Sequence, residues 1–219
     1  MGVDLFGLAT SNRVENCSIY SNGTGIQDGA GAQRNRYGNL FIYNNNGVGV
    51  RIAGPQAVFS NLRIKGNVGD GLRITNGTTN RVIRCVVYSN GGFGASVVNG
   101  TNNVILNNTI AFNAGGGVFI QSGYTNLAQN NILQSNGGAT VRGLRNTASG
   151  SVIRFNDSFG HATNYSPTAL SNANGDISAN ALFSNSAGTN FRLRGPVPVS
   201  PAVDVGSTAG VGSYDGVPV

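Results

Sequence analysis

The sequence predicts an all-β fold, a parallel β-solenoid of about six to seven coils of 22–23 residues, followed by an irregular C-terminal tail. The composition is the first observation behind this prediction, because 34 of the 219 residues are glycine and asparagine is almost as frequent. Such a composition favours turns and strands over helices. The other two observations are an asparagine that recurs at a fixed interval and the apolar residues that alternate with polar ones before it.

An asparagine follows each short apolar run at successive spacings of 23, 22, 23, 23 and 23 residues. These positions are Asn22, Asn45, Asn67, Asn90, Asn113 and Asn136. A period of this size is typical of solenoid proteins. Three residues before each asparagine lies an apolar residue that we expect in the core: Ile19, Ile42, Ile64, Val87, Ile110 and Leu133.

Two more strands complete each predicted coil. One follows a recurring glycine and contains the segments GIQ, GVRI, GLRI, GASVV and GVFIQ. The other is anchored by Val14, Tyr37, Phe59, Val82 and Ile105. Each strand would pair with its equivalent in the next coil, about 4.8 Å away, and the asparagines would stack as ladders. The pattern repeats because a single coil cannot bury its apolar side alone.

Domain organisation follows the repeat. We expect coils over residues 1–158 and a closing segment over residues 159–219 that packs on the solenoid. Asp4 aligns with a corner glycine, so the sequence begins within a coil; we expect a fragment of a longer protein and self-association end to end or side by side. No apolar run of 18 residues occurs, so no membrane span is predicted.

Cys17 and Cys85 occupy one inward column three coils apart, which separates them by about 14 Å. A disulfide requires Cα atoms within about 7 Å. Both are therefore expected to be free, buried thiols.

The coil pattern N-x-I-x-x-N-G…G-(V/L)-x-(I/V) resembles the repeat of bacterial right-handed parallel β-helix proteins, the pectate-lyase-like superfamily. The segments NDSFGHATNYS, GDISANALFSNSAGTNFRL and SPAVDVGS are similar to the closing segment of many secreted members. Asn180-Ala181 departs from the Asp-Pro usual there. The resemblance implies a right-handed coil and a general association with polysaccharides, but no particular reaction. We expect a secreted or cell-surface location.

The sharpest candidate site is a set of outward-facing basic and aromatic residues. Arg63 and Lys65 share a strand and are flanked by Tyr43 and Tyr88. Arg51 and Arg73 share a column on the next strand. The predicted substrate contacts are Tyr43, Tyr88, Arg51 and Arg73. Tyrosine rings suit sugar rings, and arginine suits uronate or sulfate oxygens. In the resembled lyases a lysine or arginine takes the proton beside a uronate carboxylate, which makes Lys65 and Arg63 the catalytic candidates. The competing interpretation is a solvated face without a ligand.

Other function classes have less support. A glycosidase needs two nearby carboxylates, but the eight acids are scattered, and only Asp28 or Asp70 could join a pair. His161 is expected to be structural, and no spacing suggests a metal or cofactor. The net charge is +6, but the basic residues are spread along the sequence without runs. An acidic polysaccharide therefore fits better than nucleic acid as a partner.

Two functions stay open. One is a structural or carbohydrate-interacting module of a secreted or cell-surface protein. The other is a polysaccharide lyase that cleaves acidic, uronate-containing glycans by β-elimination.

Overall fold

A computed structural model describes residues 1–137, 141–168, 174–185, 190–193 and 200–202. Three parallel sheets run along these residues, with eight, seven and seven strands. The first sheet contains β1 (Val3–Leu5), β4 (Ile26–Asp28), β7 (Val50–Ile52), β10 (Leu72–Thr75), β13 (Phe93–Val98), β17 (Gly116–Ile120), β21 (Arg142–Asn146) and β24 (Thr163–Ser166).

The second and third sheets follow the same order along the chain. The second contains β2 (Arg13–Glu15), β5 (Arg36–Gly38), β8 (Val58–Ser60), β11 (Arg81–Ile83), β15 (Val104–Leu106), β19 (Leu127–Gln129) and β22 (Val152–Arg154). The third contains β3 (Ser18–Tyr20), β6 (Phe41–Tyr43), β9 (Arg63–Lys65), β12 (Val86–Tyr88), β16 (Thr109–Ala111), β20 (Ile132–Gln134) and β23 (Asp157–Phe159). The predicted parallel solenoid is confirmed.

Register and burial also confirm the predicted core. Ile64 pairs with Ile42 on one side and with Val87 on the other. The predicted stack is buried throughout: Ile19, Ile42, Ile64, Val87, Ile110 and Leu133. In the second sheet, the rings of Tyr37 and Phe59 stack at 4.5 Å between centroids. Like residues stack because each coil places the same position above its equivalent in the next coil.

The asparagine ladder has a direction. The Nδ2 of Asn67 donates to Oδ1 of Asn90 at 2.9 Å, and the backbone N–H of Asn67 donates to the same oxygen at 3.0 Å. Asn90 repeats both bonds with Asn113. Two further ladders run beside this one. One contains Asn12 and Asn35 and, further along the same column, Asn80, Asn103 and Asn126. The other contains Asn108, Asn131, Asn156 and Asp176. Each rung satisfies a backbone N–H, and in the central coils this N–H is buried.

The corner between the second and third sheets is a tight turn with one residue at positive φ in each coil. Its members are Asn16, Asn39, Asn61, Arg84, Asn107, Asn130 and Phe155. Asparagine tolerates this left-handed conformation better than most residues. Its repeated use at the corner therefore has a conformational reason.

Cys17 differs from the prediction. Both cysteines are free, and Cys85 is buried as expected, but Cys17 is exposed. It precedes β3, the edge strand of the third sheet, so no described strand covers it on that side. Burial raises the pKa of the Cys85 thiol to about 12.

The described part of the C-terminal segment packs on the solenoid. Parallel pairing continues to β24, and an antiparallel pair follows, β25 (Phe183–Asn185) with β26 (Asn190–Leu193). A short parallel pair, β14 (Gly100–Thr101) with β18 (Gly123–Tyr124), lies at another corner. The division at residue 158 remains a prediction, because much of 159–219 lies outside the described residues.

Candidate functional site

The third sheet carries a cluster of aromatic rings on its outer side in the first two coils. Tyr20 and Tyr43 stack with ring centroids 4.9 Å apart and planes 13° apart, and Phe41 lies 4.5 Å from Tyr43. Tyr20 is 52% exposed. The rings align because their strands pair in register, Tyr20 opposite Tyr43. An accessible aromatic surface therefore extends over two coils.

The third coil adds two cationic side chains to this surface. The Nζ of Lys65 lies 5.3 Å from the ring centroid of Phe41. The guanidinium of Arg63 lies 5.6 Å from the ring of Tyr88, and its Nε donates to the Tyr88 hydroxyl at 3.3 Å. We call the surface formed by Tyr20, Phe41, Tyr43, Arg63 and Lys65 the aromatic–basic face.

Tyr88 does not extend this surface. It points outward from β12 but is only 3% exposed, because Phe191 of β26 packs on its ring at 5.0 Å. The expectation of a stacking surface on both sides of Arg63 and Lys65 is therefore wrong for Tyr88. The repeat pattern gave no signal of this contact, since the covering residue lies outside the repeats.

Arg51 and Arg73 lie on a different face of the solenoid. They are neighbours in register on β7 and β10 of the first sheet, and both are exposed. The Nε of Arg73 lies 2.8 Å from Oδ2 of Asp70, which also accepts a hydrogen bond from the Ser96 hydroxyl at 2.6 Å. The predicted single patch thus consists of two groups on two sheets.

The two acids considered for a carboxylate pair are engaged in the interior. Asp70 is buried and holds Arg73, as described above. Asp28 is also buried, and Asn35 and the Tyr37 hydroxyl donate to its Oδ1 at 2.9 and 3.0 Å. Burial raises the pKa of Asp28. These contacts give both acids structural roles.

His161 continues the asparagine ladder. The Nδ2 of Asn136 lies 3.1 Å from Nε2 of His161, and Nδ1 lies 3.3 Å from Oδ1 of Asn164. Because the amide donates to Nε2, the ring proton is on Nδ1. Burial lowers the pKa of His161 to about 4. A neutral histidine at the ladder end agrees with the predicted structural role.

A groove of about 510 Å³ runs along the corner between the second and third sheets. Its lining comes from three successive coils and includes Asn16, Asn39, Phe41, Asn61 and Arg63. Phe41 and Arg63 therefore belong to both this corner groove and the aromatic–basic face.

Among the described residues, no group of three or more His, Cys, Asp or Glu side chains could hold a metal ion. In the same part of the chain, no helix is long and apolar enough to cross a membrane.

Three stacked parallel sheets joined by short corners define the chain as a parallel β-helix protein. The family described as "Right handed beta helix region" matches residues 4–159, and the chain belongs to this family. This match also gives the coil its right hand.

Two solved structures share the fold. The periplasmic alginate epimerase AlgG is 12% identical with a TM-score of 0.58, and pectate lyase Pel9A is 20% identical with a TM-score of 0.52. The alignments cover 77% and 63% of this chain, but only 42% and 40% of those chains. No curated protein sequence matches the chain significantly.

Proposed function

We propose that the chain is a carbohydrate-interacting β-helix module that binds an acidic polysaccharide on the aromatic–basic face. The observation that carries the proposal is the exposed stack of Tyr20 and Tyr43 beside Lys65 and Arg63. Aromatic faces pack well against the apolar faces of sugar rings. Lysine and arginine form charge-assisted hydrogen bonds with carboxylates.

The shape of the surface supports a ligand that lies along the solenoid axis. The corner groove follows three coils, and successive coils are about 4.8 Å apart. A glycan chain in this groove would meet the Phe41 ring in the second coil and the Arg63 guanidinium in the third. The net charge of +6 would favour the approach of a polyanion.

The structural neighbours support the ligand class and the location. They are named for alginate and for pectate, and one is named as periplasmic. We therefore extend the proposal to a secreted or cell-surface location. Arg51 and Arg73 are proposed contacts for a glycan segment on the first sheet.

The second candidate function is cleavage of an acidic polysaccharide by β-elimination. It is favoured by the outward placement of Arg63 and Lys65, two residues apart on one strand. As the base, Lys65 would take the proton from the carbon beside the uronate carboxylate, whose charge Arg63 would balance. The electron pair would form a C=C bond as the bond to the leaving glycosidic oxygen breaks, and that oxygen would take up a proton.

Binding to alginate and to pectate at low salt, measured by isothermal titration calorimetry, tests the proposal. We expect Tyr43→Ala and Lys65→Ala to weaken binding, and salt to weaken it further because exposed charges are screened. Tyr124→Ala is a matched control, since Tyr124 is 64% exposed and lies at a different corner. If the wild type binds neither polymer, or if Tyr43→Ala binds like Tyr124→Ala, the face is a solvated surface.

The same samples separate the two functions. A lyase produces unsaturated uronate ends, which absorb in the ultraviolet, whereas a binding module does not. If Lys65 is the base, Lys65→Ala should abolish this signal while it reduces binding only modestly. Binding without new absorbance supports the module.

A further inference from the structure

We infer that a second binding site, for a carboxylate-bearing sugar unit, lies in a cleft between the third and fourth coils and β26 of the tail. The cleft has a volume of about 390 Å³. Three arginines line it, Arg63, Arg84 and Arg192, together with the apolar side chains of Val86 and Phe191. The inference takes its ligand class from the proposed function; the cleft shares Arg63 with the aromatic–basic face but adds Arg84, Arg192 and Phe191.

The charge of the cleft is its first distinctive property. Among the described residues, its lining includes three guanidinium groups and no acidic side chain. Arg84 and Arg192 are both exposed, and neither has an acidic partner among the residues that the structure describes. An arginine fork binds a carboxylate with two parallel hydrogen bonds. A bound carboxylate would therefore supply Arg84 and Arg192 with an acidic partner.

Arg84 occupies a position whose backbone favours another residue. Its φ is +55°, and the equivalent residue is asparagine in the three preceding corners, Asn16, Asn39 and Asn61. A left-handed conformation is unfavourable for most side chains, whereas asparagine tolerates it. Asparagine would suit this corner better on conformational grounds, and Arg84 is the one arginine among the seven described residues of this corner. Its position places it in the lining of the cleft.

Aromatic contacts of β26 position Arg192. The ring of Phe191 packs on Tyr88 at 5.0 Å, and Phe183 meets Phe191 edge-on at 5.3 Å. These contacts fix β26 beside β12 and place Arg192 opposite the corner. Phe191 and Val86 then form an apolar wall that suits one face of a sugar ring, while the guanidinium groups suit its carboxylate.

The cleft adjoins the proposed glycan surface. Asn61 and Arg63 line both the cleft and the corner groove. A chain bound in the groove can therefore place one acidic unit in the cleft. This arrangement predicts that a single uronate binds in the cleft without the aromatic rings of the aromatic–basic face.

The test measures binding of monomeric galacturonate by ligand-observed NMR to the whole chain, with neutral galactose as the uncharged probe. Arg84→Asn and Arg192→Gln should each weaken galacturonate binding at least about fivefold, since each removes a charge-assisted contact. Arg142→Gln is the matched control, because Arg142 is an exposed arginine on β21 outside the cleft. Arg84→Asn restores the residue type of the neighbouring corners, so its unfolding midpoint should stay equal to that of the wild type or rise.

The outcomes separate this inference from the proposed function. Loss of galacturonate binding in Arg84→Asn and Arg192→Gln, with Arg142→Gln unaffected, supports the cleft. If the two cleft variants bind galacturonate like Arg142→Gln, or if galactose binds as well as galacturonate, the cleft is not this site. The same holds if the wild type fails to bind the monomer, even when Tyr43→Ala weakens polymer binding and the proposed function stands.

Discussion

Asn90→Ala would remove a central rung of the first asparagine ladder. The Oδ1 of Asn90 accepts the backbone N–H of Asn67 at 3.0 Å and its Nδ2 at 2.9 Å. The Nδ2 of Asn90 donates to Oδ1 of Asn113 at 2.9 Å. All three residues are buried, so water cannot replace the lost partner.

The magnitude follows from what is left without a partner. The backbone N–H of Asn67 loses its described acceptor, and an unsatisfied buried donor costs about 1–3 kcal/mol. The lost bonds from the Asn90 amide add roughly 0.5–1.5 kcal/mol each. Oδ1 of Asn113 keeps the backbone N–H of Asn90 as a donor at 3.1 Å. We therefore expect the free energy of unfolding to fall by about 2–5 kcal/mol.

Asn22→Ala is the matched control, because Asn22 begins the same ladder. It donates to Asn45 at 3.3 Å, but no described hydrogen bond ends on its own Oδ1. Its loss should cost about 1 kcal/mol or less. Urea unfolding followed by far-UV circular dichroism measures both variants. Equal losses in the two variants would refute the argument that the ladder stabilises the fold by accepting buried N–H groups.

Three further predictions concern the core, the tail and the thiols. Ile64→Ala should lower the free energy of unfolding by about 2–5 kcal/mol through lost burial and a cavity, and a loss below about 1 kcal/mol would contradict its core position. Burial raises the pKa of Asp157 and Asp176 to about 6, so their contribution to stability is present below pH 4 and is lost as the pH rises through 6. His161, whose pKa is lowered, acts in the opposite direction. It contributes one proton against the two of Asp157 and Asp176, so the free energy of unfolding should fall from pH 4 to pH 6. Asp176→Asn should make this fall smaller, which urea unfolding at each pH measures. In the folded protein a maleimide should label Cys17 rapidly and Cys85 only on unfolding, because the Cys85 thiol is buried with a pKa of about 12; rapid labelling of Cys17→Ser would contradict this.

Asp176 shows how the ladders end. As the last described member of its ladder, it only accepts, taking the backbone N–H and Nδ2 of Asn156 on one oxygen. A carboxylate can therefore replace asparagine at this end, whereas an interior rung must both accept and donate. The other carboxylate oxygen of Asp176 is buried without a described partner. This burial explains the raised pKa and the expected pH dependence.

The sequence by itself determined the coil. The spacing of Asn45, Asn67 and Asn90, with Ile42, Ile64 and Val87 three residues earlier, predicted the parallel register and the core stack. It could do so because a solenoid repeats one local structure, and each position meets its own equivalent in the next coil. The outward positions of Tyr43, Arg63 and Lys65 followed from the same alternation.

Contacts outside the repeat were decided only by the tertiary structure. The tail strand β26 covers Tyr88 with Phe191 and brings Arg192 to Arg84, more than one hundred residues away in sequence. Cys17 is exposed because β3 is an edge strand, although its column is buried in later coils. Arg73 is held by Asp70, and it lies on a different sheet from Lys65. Periodicity specifies which residues stack along the axis, but it contains no information about a segment that crosses the coils from outside, and that segment determines which outward residues stay accessible.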